Sequence, residues 1–346
     1  MPSRRLPAEW EPQSAVLLTW PHAGTDWADL LPEAEAVYDR LAVAIAARER
    51  LLIACHDASL RDRVADRLAG LGIERAQVLI GIAPANDTWA RDHGPITVET
   101  PAGAEILDFV FNGWGGKFDA ALDDDIPSAL ARARLYGATP CRKVALVLEG
   151  GALETDGRGT LLATRHSVVT DTRNPGLGDA AVEAVLRAEL GLERFLWLEH
   201  GALSGDDTDG HIDTLARFAD PQTILYATTT PEDPDHAGLA AMRDELAALR
   251  TATGAPYRLV PLPPPGMHFE GGRRLPATYA NFLIVNGAVL LPVYGVANDD
   301  VAVRTVAACF PERQIVPVDC RALIRQNGSL HCVTMQLPAT VALPLP

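Results

Sequence analysis

Between residues 29 and 308 the chain alternates long, alanine-rich amphipathic stretches with short apolar runs. Apolar positions at helical spacing predict helices near 29–48, 58–70, 123–135, 178–190, 236–250 and 297–308. Each of the last five is followed by a short run of strand character: AQVLIGI (76–82), RKVALVL (142–148), RFLWLEH (194–200), YRLVPL (257–262) and RQIVPVDC (313–320). The starts of these five helices recur at roughly 60-residue intervals, which points to a repeated structural unit even though no sequence identity between units is visible. The helix near 29–48 precedes the series.

The segments after the five strands are polar and loop-like: NDTWARD (86–92), EGGALETDG (149–157), DDTDGHID (206–213), MHFEGG (267–272) and NGSLHC (327–332). If equivalent ends of five units converge, these loops meet around one point, and loops held on a rigid scaffold commonly carry function. A doubly wound α/β sheet also clusters loops at its strand ends, so periodicity alone leaves both architectures open. No long linker interrupts the chain, and the Pro-rich PLPPPG (261–266) is short enough to be a loop. Residues 1–346 are expected to form one domain.

Composition narrows the partners. Hydrophobic residues make up 48% and charged residues 22%, as in ordinary globular chains. A formal charge of −15 argues against nucleic acid or an anionic membrane as partner, because both require a basic face. The opening MPSRRLPAEWEP has no apolar stretch after its arginines, and no apolar run reaches the roughly 20 residues of a membrane helix. The five cysteines, Cys55, Cys141, Cys309, Cys320 and Cys332, lack CxxC spacing. Neither a disulfide framework nor a structural zinc site is expected, and a reducing cytoplasm is the expected setting.

The acidic loops hold the candidate chemistry. Counting from Asp207, an EF-hand would place ligands where His211 and Phe218 stand, so a calcium loop does not fit. His211-x-Asp213 supplies only two transition-metal ligands, and no HExxH completes them. In an extended segment these two residues would share a face. Asp206 and Asp207 read as a solvated turn. Trp89 and Asp92 pair an aromatic face with a carboxylate, which suits a flat guanidinium, although Arg91–Asp92 alone reads as an ion pair. Cys332 follows an NGS turn, and a distant His–carboxylate pair is the arrangement a cysteine nucleophile needs; otherwise it is a buried strand residue. Glu149 precedes Gly150 and Gly151, which permit a tight turn or a close backbone approach to a ligand.

Together PAEWEP, NDTWARDHGP, FNGWGGKF, LEGG, DTDGHID, RLPATYANFLIVNG and GSLHCVTMQ resemble the agmatine deiminase family, also described as bacterial peptidyl-arginine deiminase-like, from about residue 7 to 338. The resemblance implies a pentein fold, a five-bladed α/β propeller with pseudo-fivefold symmetry and a central site. It implies hydrolysis of a guanidine to a ureido group and ammonia without metal or cofactor. For agmatine the product is N-carbamoylputrescine.

Position by position, the resemblance makes Cys332 the nucleophile and His211 the general acid and base. Asp92 and Asp213 become the aspartates that grip the guanidinium, with Trp89 beside them. Glu149 orients and charges His211, Gly151 lies against the substrate, and Trp114 falls in a motif near the site. It also implies a small cationic guanidine as substrate and a homodimer. Ala23 stands where longer members carry arginine, Thr214 replaces an Asn, and QNGSLHC replaces a glycine-rich run; these affect contacts to the far end of the substrate. Peptidyl or free arginine are alternative substrates, and a non-enzymatic binding module is an alternative of another class.

Overall fold

The computed structural model describes residues 4–344. Strand Gln13–Thr19 pairs antiparallel with Thr334–Pro338 on one side and parallel with Arg50–Cys55 on the other. Parallel neighbours need a crossover, and helix Leu31–Ala46 supplies it. The strands are almost continuously apolar because helices and neighbouring strands cover both faces.

The same connection recurs four times. Ile96–Thr100 lies antiparallel to Gly103–Val110, which runs parallel to Cys141–Val147. Glu154–Thr155, Thr160–Thr164 and Arg194–Leu198 repeat the order. So do Ala216–Asp220, Thr223–Tyr226 and Arg258–Pro261, and finally Leu283–Val285, Ala288–Val293 and Gln314–Asp319. Helices Ile126–Arg132, Asp179–Leu190, His236–Ala248 and Asp299–Cys309 fall within the four crossovers.

The periodic series is therefore present, with one displacement. The crossover of the first unit is Leu31–Ala46, not the stretch near 58–70. Helix Ala58–Gly70 leads instead to Val78–Ile82, an added strand outside Arg50–Cys55. Burial gives the reason. Leu31–Ala46 is covered along most of its length, from Ala34 to Ala46, whereas Ala58–Gly70 buries only Leu60, Val64 and Leu68.

Three buried apolar clusters fill the space around the sheets. One joins Trp20, Tyr38 and Leu41 of the first unit to Phe282 and Leu290 of the fifth. A second gathers Ile106, Leu130 and Leu186, and a third gathers Phe218, Met242 and Leu246. Each fully buried Leu of this kind stabilises the fold by about 1.5–3 kcal/mol. Among the described residues no helix is long and apolar enough to cross a membrane.

Candidate active site

Each unit presents polar residues just before its first, antiparallel-paired strand. Cys332 precedes Thr334–Pro338, Asp92 precedes Ile96–Thr100, and Glu149 with Gly151 precedes Glu154–Thr155. His211 and Asp213 precede Ala216–Asp220, and Asn281 precedes Leu283–Val285. Four of the five expected loops thus deliver residues to one place. MHFEGG does not: it forms part of a hairpin, His268–Glu270 with Arg273–Leu275, that leaves Met267 and Phe269 exposed. Asn281, nine residues after Gly272, takes its place.

His211 and Asp213 share the site by a different route from the extended segment expected. Ile212–Thr214 is a 3₁₀ turn with His211 at its entrance. Thr208 Oγ1 accepts the His211 N–H at 3.1 Å, and the Thr214 hydroxyl donates to the His211 carbonyl at 2.8 Å. The aspartates upstream differ in task. Asp206 accepts from Thr208 N and Gly210 N and so shapes the loop. Asp209 binds Lys117 and Arg173, and Asp207 reaches the cleft.

Asp92 lies on the one-turn helix Ala90–His93. Its Oδ1 accepts the Gly151 N–H at 3.0 Å, and its Oδ2 accepts Trp114 Nε1 at 2.9 Å. Trp114 makes this bond from a left-handed backbone conformation, φ 55° and ψ 49°. Such strain in a bulky residue costs on the order of 1–3 kcal/mol and concentrates at functional sites. Trp89 donates its indole N–H to Asp87 Oδ2 at 2.8 Å, lies against Gly328 and lines the same cleft as Asp92, Trp114 and Cys332.

Gly151 marks where the charged groups meet. A methyl placed on it would lie 2.6 Å from His211 Nδ1, 2.7 Å from Asp92 Oδ1 and 3.3 Å from Asp213 Oδ2. Only glycine leaves that point open. His211 stands between two carboxylates, with Nδ1 3.4 Å from Asp92 and Nε2 3.7 Å from Glu149. Burial disfavours its cation, but Asp92, Glu149 and Asp213 outweigh burial and raise it to about 9. Burial raises Asp92 to about 6, with His211 opposing and Asp213 and Glu149 adding to the rise. Burial also pushes the Cys332 thiol well above its usual range, and the Asp213 and Asp92 charges push it further.

Several residues here were not singled out in the sequence. Arg173 Nε lies 2.9 Å from both Glu149 oxygens, and its other nitrogens bind Asp209 and the Thr208 carbonyl. Burial alone would raise Glu149; His211 and Arg173 hold it below the usual carboxylate range. Asn281 Oδ1 accepts the His331 N–H at 2.9 Å, the Cys332 N–H at 3.3 Å and the Cys332 thiol at 3.4 Å, while its Nδ2 donates to Asp213 at 3.2 Å. A lone amide in the apolar run YANFLIV is a readable signal; Arg173, in TDTRNPG, stands in no such contrast. Among the described residues no three His, Cys, Asp or Glu side chains are arranged to hold a metal ion.

The cleft over this cluster brings Asp26, Asp87 and Asp207 in beside Trp89, Asp92, Trp114 and Cys332, with no Lys or Arg in its lining. Four carboxylates, Asp26, Asp87, Asp92 and Asp207, line the cleft with no cationic side chain among them, which suits a cationic ligand.

The sequence profile of the Porphyromonas-type peptidyl-arginine deiminase family matches residues 5–338. A crystal structure from Porphyromonas gingivalis, provisionally named an arginine deiminase, is 48% identical with a TM-score of 0.90, over 97% of this chain and 99% of that one. Agmatine deiminase of Stutzerimonas stutzeri is 33% identical over 96% of this chain and 95% of its own. A C. jejuni agmatine deiminase, a Cys-to-Ser variant with substrate bound, is 33% identical with a TM-score of 0.89, over 96% of each chain. The chain belongs to the Porphyromonas-type peptidyl-arginine deiminase family.

Proposed function

We propose that the chain is an agmatine deiminase that hydrolyses a guanidino C–N bond, releasing N-carbamoylputrescine and ammonia. The observation that carries this reading is the closure of His211, Asp92 and Asp213 around Gly151, with Asp92 and Cys332 lining one cleft. Full-length relatives that bear the agmatine deiminase name support it.

In this reading Asp92 and Asp213 bind the guanidinium nitrogens, and Trp89 flanks the flat cation. Burial, and after it the charges of the same two carboxylates, hold the Cys332 proton in place. A guanidinium between them neutralises that effect, so substrate binding itself favours the thiolate. The Cys332 thiol releases its proton to solvent, and its sulfur then forms a bond to the guanidinium carbon. His211, already cationic, gives its proton to the departing nitrogen as the C–N bond breaks and ammonia leaves. A covalent S-alkylthiouronium remains. His211, now neutral, takes a proton from water as it attacks the same carbon. The C–S bond breaks, the new hydroxyl releases its proton to solvent as the ureido C=O forms, and the thiolate returns. Glu149, fixed by Arg173, keeps His211 oriented and charged.

The cleft supports a cationic far end for the substrate. Asp26 and Asp207 suit an amine, whereas the carboxylate of free arginine meets no Lys or Arg in the lining. A ureido assay across agmatine, arginine, arginine amide and an arginine peptide tests this. Agmatine should give the highest kcat/KM, and preferential turnover of the peptide or of free arginine would reassign the substrate. No ureido product from any of the four would favour a binding module.

The pH profile follows from the charges. The competent free enzyme has Asp92 ionised and His211 protonated. kcat/KM should therefore fall as pH drops through about 6, where Asp92 gains a proton and loses its grip. It should fall again as pH rises through about 9, where His211 loses the proton it must donate. A profile flat from pH 5 to 10, in ~1-unit steps, would contradict both assignments.

The five repeated units are read as blades of a pentein propeller around this site, with residues 1–346 as one domain. What supports this is that each unit contributes the segment before its first strand to the same cluster. A homodimer belongs to the same reading and rests on the family resemblance.

A further inference from the structure

The PAEWEP stretch carries family resemblance but takes no part in the chemistry above. The first of its two glutamates, Glu9, is buried. Glu9 Oε1 accepts the Ile284 N–H at 2.7 Å, and Oε2 accepts Arg217 Nη2 at 2.9 Å and His331 Nε2 at 2.7 Å. The opposite nitrogen of the same ring, His331 Nδ1, lies 2.7 Å from Asp213 Oδ2. His331 therefore bridges two buried carboxylates. A neutral imidazole donates through one nitrogen only, so a bridge of this geometry carries a proton on each.

The bridge exceeds what burial alone requires. Glu9 already has Arg217 and a backbone N–H, with Arg91 Nη2 at 3.7 Å. Asp213 Oδ2 already has the Asn281 amide. What the ring adds is a second, charge-assisted bond to that oxygen, while Asp213 Oδ1 stays buried without a partner. His331 is also the residue before Cys332, and Asn281 Oδ1 binds the backbone N–H of both.

We propose that Glu9 and His331 are positioning residues that fix the Asp213 carboxylate for the guanidinium, in register with the attacking sulfur of Cys332. This rests on the deiminase reading of Asp213. Glu9 holds the ring from behind, and the ring holds the clamp. Burial would raise the Asp213 carboxyl, but His331, His211 and Arg217 together keep it below the usual range. Glu9 lines a pocket with Gln13, Arg91 and Gln336, and Glu9→Gln keeps the shape of the side chain while removing its charge.

The test is a double-mutant cycle on the full chain with Glu9→Gln, His331→Asn and both. Each single change should raise KM for agmatine by about 10- to 100-fold, the range for hydrogen bonds to charged groups, and the double variant should be no worse than His331→Asn. Losses that multiply, or a reduced kcat at unchanged KM with a lowered Tm, would mark a merely structural role and overturn the proposal. A second measurement is independent of turnover. Imidazole ¹⁵N–¹H spectra should show hydrogen-bonded protons on both His331 nitrogens, absent in His331→Asn, with the Nε2 signal displaced in Glu9→Gln. Ring signals unchanged by Glu9→Gln would overturn the bridge. If the wild-type chain turns over no guanidine, the deiminase reading fails, while these spectra still decide whether the bridge exists.

Discussion

Cys332→Ser is expected to abolish ureido formation from agmatine, by on the order of 10⁴-fold or more, with a Tm close to that of the wild-type chain. The residue is buried, and its surroundings are built on backbone contacts that serine keeps: the Cys332 carbonyl accepts the Arg91 N–H at 3.0 Å, and Asn281 holds the Cys332 N–H. A hydroxyl also suits the acceptor that now faces the thiol at 3.4 Å. What serine lacks is an accessible anion. A bound guanidinium lowers the barrier to forming a thiolate, but the same field falls far short of ionising an alcohol, and no neutral base stands ready while His211 is cationic. A ureido assay with a thermal melt checks this. Near-wild-type turnover would remove Cys332 from the role of nucleophile.

Asp92→Asn should lower kcat/KM by on the order of 10³-fold, comparable to the removal of a preorganised charge-stabilising group. Two effects combine. The carboxylate now accepts from two donors, Gly151 N and Trp114 Nε1. An amide offers one oxygen to that pair and turns its NH₂ toward the other donor, so a buried polar group is left unsatisfied. The substrate cation also loses one of its two anionic partners. A third consequence separates these from simple misfolding. Asp92 is the foremost of the groups that raise His211, so without its charge His211 holds its proton less tightly. The basic limb of the pH profile should move to lower pH. Unchanged kcat/KM, or a basic limb still near pH 9 in the folded variant, would contradict the assignment.

The long helices and the outer strands were legible because their apolar positions keep one period over many residues: Asp179–Leu190 and His236–Ala248 fall within about two residues of expectation. The inner strands were not, and length explains it. Glu154–Thr155 and Leu283–Val285 are too short to display an alternation, and neighbouring units cover them. The added helix Ala58–Gly70 misled because amphipathicity reports a covered face, not the strand pair that covers it. At the site, Cys332, His211, Asp92, Asp213, Glu149 and Gly151 were found through motifs, and the structure brings them together. Asn281 and His331 lay inside quoted motifs yet had no assigned task, since their roles are set by partners far away in sequence. MHFEGG had the composition of a site loop, but its turn closes a local hairpin before the chain returns to the centre.

The account depends most on Cys332 as the nucleophile of a guanidinium site, and labelling with a haloacetamidine tests that directly. This reagent pairs a flat amidinium with a carbon that a thiolate alkylates. Peptide mapping after stoichiometric labelling should place the adduct on Cys332 alone, loss of ureido formation should track its extent, and agmatine should slow it. Labelling of Cys55, Cys141, Cys309 or Cys320 in its stead, or complete modification of Cys332 with turnover retained, would contradict the central claim.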